Sequence, residues 1–203
     1  MNTEGEPGLD RYSVTIIKPD AYRDFLSQMV VSDLEDAGLS VVYRKEMKLE
    51  RHQAESTYEE HRDEKNFPYM VESLLLKDGN GVQYPCMLLV FKSDSDNALE
   101  LNQQAKGRAD KDGIRAKYRL HFWYELEEMG YEGDELSSIL ARNRLHVPDD
   151  HQRITEILGV LLTERDIEEI SQRENELGQV VRKYRDSLPK GIVPLRYKET
   201  KIV

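Results

Sequence analysis

Apolar positions recur along the chain with two different periods, and these divide it into strands and helices. Residues 12–17 (Tyr-Ser-Val-Thr-Ile-Ile) alternate polar and apolar with β-branched enrichment, which predicts a strand. Phe25, Leu26, Met29, Val30, Leu34 and Ala37 fall at helical spacing, and Gly38 is placed to end that helix in a left-handed conformation. Residues 39–49 begin as a strand and turn polar. Residues 50–60 and 67–76 read as two helices around the charged turn 62–65, and Lys77-Asp-Gly-Asn-Gly81 is a turn. Residues 86–91 are short and continuously apolar, as in a central strand buried on both faces or a strand under helices. A helix over residues 97–104 follows. This alternation favours helices laid on one sheet.

The second half is less regular. Residues 115–141 mix aromatics (Tyr118, Phe122, Trp123, Tyr124, Tyr131) with charges and glycines, and we read 116–141 as a surface insertion carrying a short helix. Ile154, Ile157, Leu158, Leu161 and Leu162 mark an amphipathic helix. Thr163-Glu-Arg-Asp166 forms a capping box for a further helix, expected to end before Pro189. In that helix Ile170, Leu177 and Tyr184 recur every seven residues, with Ile167 and Val181 on the same side. Docking on the chain's own domain and docking on a partner subunit both account for such a stripe. The expected organisation is a disordered N-terminus over 1–11, a domain over 12–162, and a helical extension and tail over 163–203.

Composition narrows the partners. With 203 residues and 38% apolar content the chain is large enough for one core. A net charge of −10 disfavours nucleic acid and anionic membrane, both of which reward clustered cations. Cys86 is the one cysteine, so no internal disulfide forms, and its apolar neighbours make it a small buried hydrophobe. No apolar run approaches bilayer length and the N-terminus does not resemble a signal peptide, so a cytoplasmic protein is expected.

Common site signatures are absent: no glycine-rich phosphate loop with lysine, no paired cysteines, no His-Glu-x-x-His. Two segments carry candidate chemistry. In Ile16-Ile-Lys-Pro-Asp-Ala-Tyr22 a lysine stands where proline forces the chain out of a strand, able to present a point charge to phosphate. In Ala141-Arg-Asn-Arg-Leu-His146, followed by Val-Pro-Asp-Asp150, arginine, amide and imidazole lie close together beside two carboxylates. A neutral imidazole is a competent nucleophile near neutral pH, provided that cations such as Arg142, Arg144 or a distant arginine neutralise the group it attacks.

Taken with Gln53-Ala54, Tyr58-Glu-Glu-His61 and Ile114-Arg115, these segments resemble the nucleoside diphosphate kinase family, in the family's order and over about three quarters of the chain. The resemblance implies an α+β, ferredoxin-like βαββαβ sandwich: a four-stranded antiparallel sheet with helices on one face. It implies ping-pong transfer of the γ-phosphate of ATP, carried with Mg²⁺, to nucleoside diphosphates. It assigns His146 as the phosphorylated residue, Lys18 and Arg115 as phosphate contacts, and Tyr58 as the neighbour of the histidine. Asn143 bonds the ribose and phosphate end, and Asp149 reaches the nucleotide's Mg²⁺ through water. With a one-residue gap, Glu156 aligns with the carboxylate that orients the histidine. A homo-oligomer is also implied.

Several positions depart from the family. The base-stacking aromatic falls on Asn66, leaving the adjacent Phe67 to supply a stack that contributes about 1–3 kcal/mol. The phosphate-binding arginine falls on Gln103 and the threonine of the same motif on Ala109, with Arg108 in reach to restore the charge. The serine two residues after the histidine is Pro148. The long connection 116–141 replaces or extends the loop that supports the site and the subunit contacts, which argues against the family's usual hexamer. The expected function is therefore a phosphotransferase using His146. The alternative is a kinase-like binding or regulatory module without catalysis, with an incomplete nucleotide clamp. An RNA-binding ferredoxin-like domain is disfavoured by the acidic charge and the lack of an aromatic-basic strand.

Overall fold

Four strands, β1 (Tyr12–Ile17), β2 (Ser40–Met47), β3 (Cys86–Lys92) and β4 (Leu145–His146), pair antiparallel in the order β2-β3-β1-β4. The computed structural model describes residues 9–94, 97–108, 111–119 and 121–187. β1 and β3 are the inner strands, and nearly all their side chains are buried, which is why residues 86–91 show no alternation. β2 lies at an edge and alternates, with polar positions outward.

Helices α1 (Pro19–Arg23) and α2 (Ser27–Asp36) follow β1, and α3 (Arg51–Thr57) and α4 (Phe67–Leu74) follow β2. Next come α5 (Ala98–Lys106), α6 (Gly113–Lys117), α7 (Trp123–Glu128) and α8 (Gly133–Leu140), then α9 (His151–Leu161), α10 (Glu164–Arg173) and α11 (Asn175–Ser187) after β4. The βαββαβ frame is the ferredoxin-like arrangement expected. Its helices, however, cover both faces. On one face, Asn102 of α5 donates to Ser13 Oγ at 2.7 Å and accepts from Thr15 Oγ1 at 3.0 Å. Neighbouring strand residues point oppositely. On the other face, Tyr12 donates to Glu174 Oε2 at 2.5 Å and Tyr43 to Asp166 Oδ1 at 2.7 Å. The C-terminal helices supply that second layer.

Three local expectations are corrected. Phe25 does not sit on the buried face of a helix: Pro19 starts a separate short helix, and Phe25 lies in the turn before α2 with φ +58° and 90% of its surface exposed. The insertion holds two helices, α7 and α8, rather than one. The C-terminal helix is broken at Glu174, whose carboxylate is held by Tyr12 and by Lys92 at 2.8 Å. Its expected end at Pro189 falls outside the described residues, as does most of the N-terminal segment. Ile167, Ile170, Leu177 and Val181 are buried in the chain's own core, and the Tyr184 ring lies where Gly159 of α9 leaves room. A Cβ on Gly159 would come within 2.5 Å of that ring. Intramolecular docking thus accounts for the seven-residue stripe.

One polar cluster fastens β4 to the start of α1. Asp20 is fully buried and accepts from the Arg144 backbone N–H at 3.1 Å and from its guanidinium at 3.4 Å. That guanidinium also meets Asp24 at 2.5 Å, the Asp20 carbonyl at 3.1 Å and the Tyr118 carbonyl at 2.7 Å. The Arg144 carbonyl accepts from Lys18 N–H at 2.8 Å. Arg144 adopts φ +75°, a region a long side chain enters only when its surroundings hold it there. Asp20→Ala leaves a buried guanidinium short of a partner, so unfolding in urea should show a loss of about 3–5 kcal/mol.

Candidate active site

His146 pairs with Ile16 across the β4–β1 ladder, and Lys18 follows two residues beyond Ile16. Pro19 turns the chain at that point, so the lysine leaves the sheet beside the imidazole. Both side chains are buried, Lys18 at 2% exposure and His146 at 4%. They line a cleft of about 360 Å³ together with Tyr58, Lys106, Arg115 and Asn143. Asp149 and His61 stand on the same wall, and Asn66, Met70, Ser137, Leu140, Ala141 and Val147 complete it.

Tyr58, the residue that ends α3, sets its ring edge-on to the imidazole with centroids 4.6 Å apart. Lys18 Nζ lies 5.4 Å from the same ring and donates to Ser73 Oγ at 3.3 Å and to the Ala141 carbonyl at 2.9 Å. Ala141 ends α8, so the negative end of a helix from the insertion meets the ammonium. Arg115 donates to the Leu145 carbonyl at 3.0 Å, beside the histidine.

Lys106 reaches the cleft because of two glycines. Gly107 (φ +60°) and Gly113 (φ +70°) lie in contact, and a Cβ on Gly107 would come 2.3 Å from the Asp112 carbonyl oxygen. Only glycine permits that approach. It brings the end of α5, with Lys106, against the start of α6, with Arg115.

The electrostatics follow from this crowding. Burial, then repulsion from Arg115, pulls Lys18 down to about 7. Burial and Arg115 likewise bring Lys106 to about 8. Arg115 is also lowered by burial. His146 is held well below its ordinary value, first by burial and then by Lys18, Arg115 and Lys106, so its imidazole is neutral at physiological pH. Burial raises the Tyr58 phenol, which stays protonated. Among the described residues no carboxylate forms an ion pair with Lys18, Lys106 or Arg115. His146 Nε2, Asn143 Oδ1 and Arg115 Nε are buried without a hydrogen-bond partner. The arrangement is a buried, neutral imidazole beside three cationic side chains, with Asp149 as the carboxylate of the cleft wall.

Six of the residues singled out from sequence meet here: Lys18, Tyr58, Arg115, Asn143, His146 and Asp149. Three do not. The Glu156 carboxylate is taken by Gln152 and Arg153, and His146 Nε2 has no partner, so Glu156 does not orient the ring. Phe67 packs toward the core under the Arg62 guanidinium, 5.6 Å from its ring centroid, and the cleft meets Asn66 instead. Arg108 lines a neighbouring hollow rather than the cleft. Arg144 is absorbed by Asp20 and Asp24, and Arg142 donates to Ser138 at 3.4 Å. Gln103 clips the carbonyl of Pro148 and so holds the turn after the histidine. Ala109 lies outside the described residues. Sequence reasoning missed Lys106, although its place one helical turn after Gln103 and just before Gly107 was a usable signal. It also missed Met70, Ser137 and Leu140, which tertiary packing alone brings together.

Comparison with known proteins agrees with this geometry. The family pattern described as nucleoside diphosphate kinase matches residues 11–167. A nucleoside diphosphate kinase of Legionella pneumophila is 28% identical over 141 residues, 69% of this chain and 94% of its own length. One from Brucella canis is 32% identical over 111 residues, 52% of this chain and 73% of its own. Among solved structures, a transition-state mimic of the Borrelia burgdorferi nucleoside diphosphate kinase with vanadate and ADP superposes with a TM-score of 0.57 at 17% identity, covering 76% of this chain and 88% of that one. The Halobacterium salinarum enzyme in complex with CDP gives 0.56 at 20% identity, covering 76% and 89%. With its fold, its pattern match and its relatives in accord, the chain belongs to the nucleoside diphosphate kinase family.

Proposed function

We propose that this protein moves the γ-phosphate of a nucleoside triphosphate to a nucleoside diphosphate through a phosphohistidine at His146. The observation that carries this reading is the buried, neutral imidazole facing Lys18, Lys106 and Arg115, cations that no described carboxylate ion-pairs directly. In the first half-reaction a ring nitrogen of His146 forms a P–N bond to the γ-phosphorus while the bond to the bridging oxygen breaks, and the diphosphate leaves. In the second, a terminal oxygen of the acceptor diphosphate attacks phosphorus and the P–N bond breaks. Lys18, Arg115 and Lys106 offset the charge on the transferring group, and being fixed in advance they need little reorganisation. Tyr58 keeps the ring in place, and Asn143 offers an amide to the ribose and phosphate end.

Mg²⁺ is brought by the nucleotide and offsets phosphate charge there. Asp149 is an oxygen ligand of suitable hardness at the cleft wall, with 60% of its side chain exposed, and fits a role toward that ion. Lys106 takes the charge role vacated at Gln103, which has become a structural clip. A binding module without turnover is the second reading. It is favoured by the Lys18 ammonium, already engaged by the Ala141 carbonyl, and by Asn66 in place of a stacking aromatic.

Three measurements test the proposal. Labelled ATP with Mg²⁺ should give an acid-labile, alkali-stable phosphoprotein that His146→Ala abolishes; an unlabelled wild type favours the binding module. Lys106→Gln removes a charge-assisted phosphate contact of about 1.5–3 kcal/mol, so ATP affinity by calorimetry should drop by at least about tenfold. Binding should also take up protons at pH 8. There Lys18 (about 7) is mostly neutral and Lys106 (about 8) half so, and a bound polyphosphate favours both ammonium forms. Affinity then falls as pH rises from 7 to 9, and calorimetry in two buffers of unlike ionisation enthalpy should report uptake of about one proton.

A further inference from the structure

The imidazole of His146 lacks the anchor that commonly fixes a reacting histidine, a carboxylate on its far nitrogen. Among the described residues Nε2 has no partner, and Glu156 is turned to Gln152 and Arg153. Its ring contact is with Tyr58, edge-on at 4.6 Å between centroids, so the place of one ring depends on the place of the other. Tyr58 ends α3, a helix of seven residues. The last carbonyls of such a helix lack a full set of intrahelical donors. Arg153 of α9 supplies them here: its Nη2 donates to the Ser56 carbonyl at 2.7 Å and to the Thr57 carbonyl at 3.4 Å, on the two residues before Tyr58. The same nitrogen meets Glu60 Oε2 at 2.7 Å, just after Tyr58 in the chain, and Nη1 meets Glu156.

The guanidinium therefore grips both sides of Tyr58 from a helix whose own start is fixed. Asp150 caps α9 by accepting from the Arg153 backbone N–H at 2.8 Å, and α9 follows His146 after a short turn that Gln103 clips at Pro148. The Arg153 side chain is only 11% exposed and lies outside the cleft lining. We propose that Arg153 is a positioning residue for phosphotransfer, holding the Tyr58 ring against His146 and so setting the angle at which the imidazole faces Lys18 and Arg115. A displacement of about 1 Å at a reacting atom costs on the order of a hundredfold in rate, so a guanidinium can act on the chemistry without touching a substrate. The effect on rate rests on the phosphotransfer reading; the contact between the two rings does not.

The test measures the rate at which ATP phosphorylates His146 in the full-length chain. Arg153→Ala should slow that transfer by about ten- to a hundredfold, while ATP affinity by calorimetry changes by less than about threefold, because the side chain lies outside the cleft. Arg153→Lys keeps the charge but not the fork that spans Ser56, Glu60 and Glu156, and should fall between the two. Added methylguanidinium should restore much of the rate to Arg153→Ala, which a collapsed fold would not allow. In a Tyr58→Ala background, Arg153→Ala should cost less than about a further twofold, whereas independent roles would multiply. A second readout needs no turnover: the Tyr58 ring current shifts the His146 ring-proton resonances, and Arg153→Ala should move them toward their positions in Tyr58→Ala. A loss confined to ATP affinity, multiplying losses in the double variant, or His146 resonances that Arg153→Ala leaves in place overturns the proposal. Should ATP fail to label the wild type while those resonances move, the positioning role stands and phosphotransfer alone falls.

Discussion

Arg144 carries a guanidinium into the interior, and the arrangement of the site depends on how that charge is met. Asp20, Asp24 and the carbonyls of Asp20 and Tyr118 surround it, while its own backbone bonds Asp20 and Lys18. A buried cation with fewer partners would be destabilising by several kcal/mol, so the pairing constrains the chain on both sides. It fixes the positive φ at Arg144, aligns the two residues of β4 with β1, and sets His146 next to the strand end that presents Lys18. The same guanidinium anchors the start of the insertion through Tyr118. A residue read from sequence as a phosphate contact is instead the joint between sheet, first helix and insertion.

Around that joint the chain accumulates positive charge that it does not neutralise. Lys18 and Arg115 are tolerated because neutral oxygens accept from them: Ser73, the end of α8 at Ala141, and Leu145. Such contacts orient a cation without cancelling its field. The glycine pair Gly107 and Gly113 adds Lys106 to the group by letting two helix ends touch. The result lowers the lysines and the histidine together, since each disfavours the charge on the others.

The two segments outside the common family frame have distinct structural effects. The insertion lays α8 along the cleft, contributing Ser137, Leu140 and the Ala141 carbonyl to its lining. The C-terminal helices close the second face of the sheet, and Arg173 donates to the Val42 carbonyl at 3.1 Å, at the bulge of edge strand β2. That contact occupies part of an edge otherwise open to pairing.

Periodicity alone located β1, β3 and most helices, since burial of one stripe or of two faces leaves its mark on the local pattern. The histidine, the lysine after β1, Tyr58, Arg115, Asn143 and Asp149 were legible because their spacing resembles one family. Tertiary structure decided what spacing does not encode. Phe67 and Glu156 stand where the family's pattern allowed a role, but each side chain found a nearer partner. Lys106 stands where no pattern pointed, and two glycines carry it to the cleft. A sequence sets which groups can be charged, apolar or extended; which of them share a desolvated pocket depends on contacts between residues far apart in the chain, and only folding makes those.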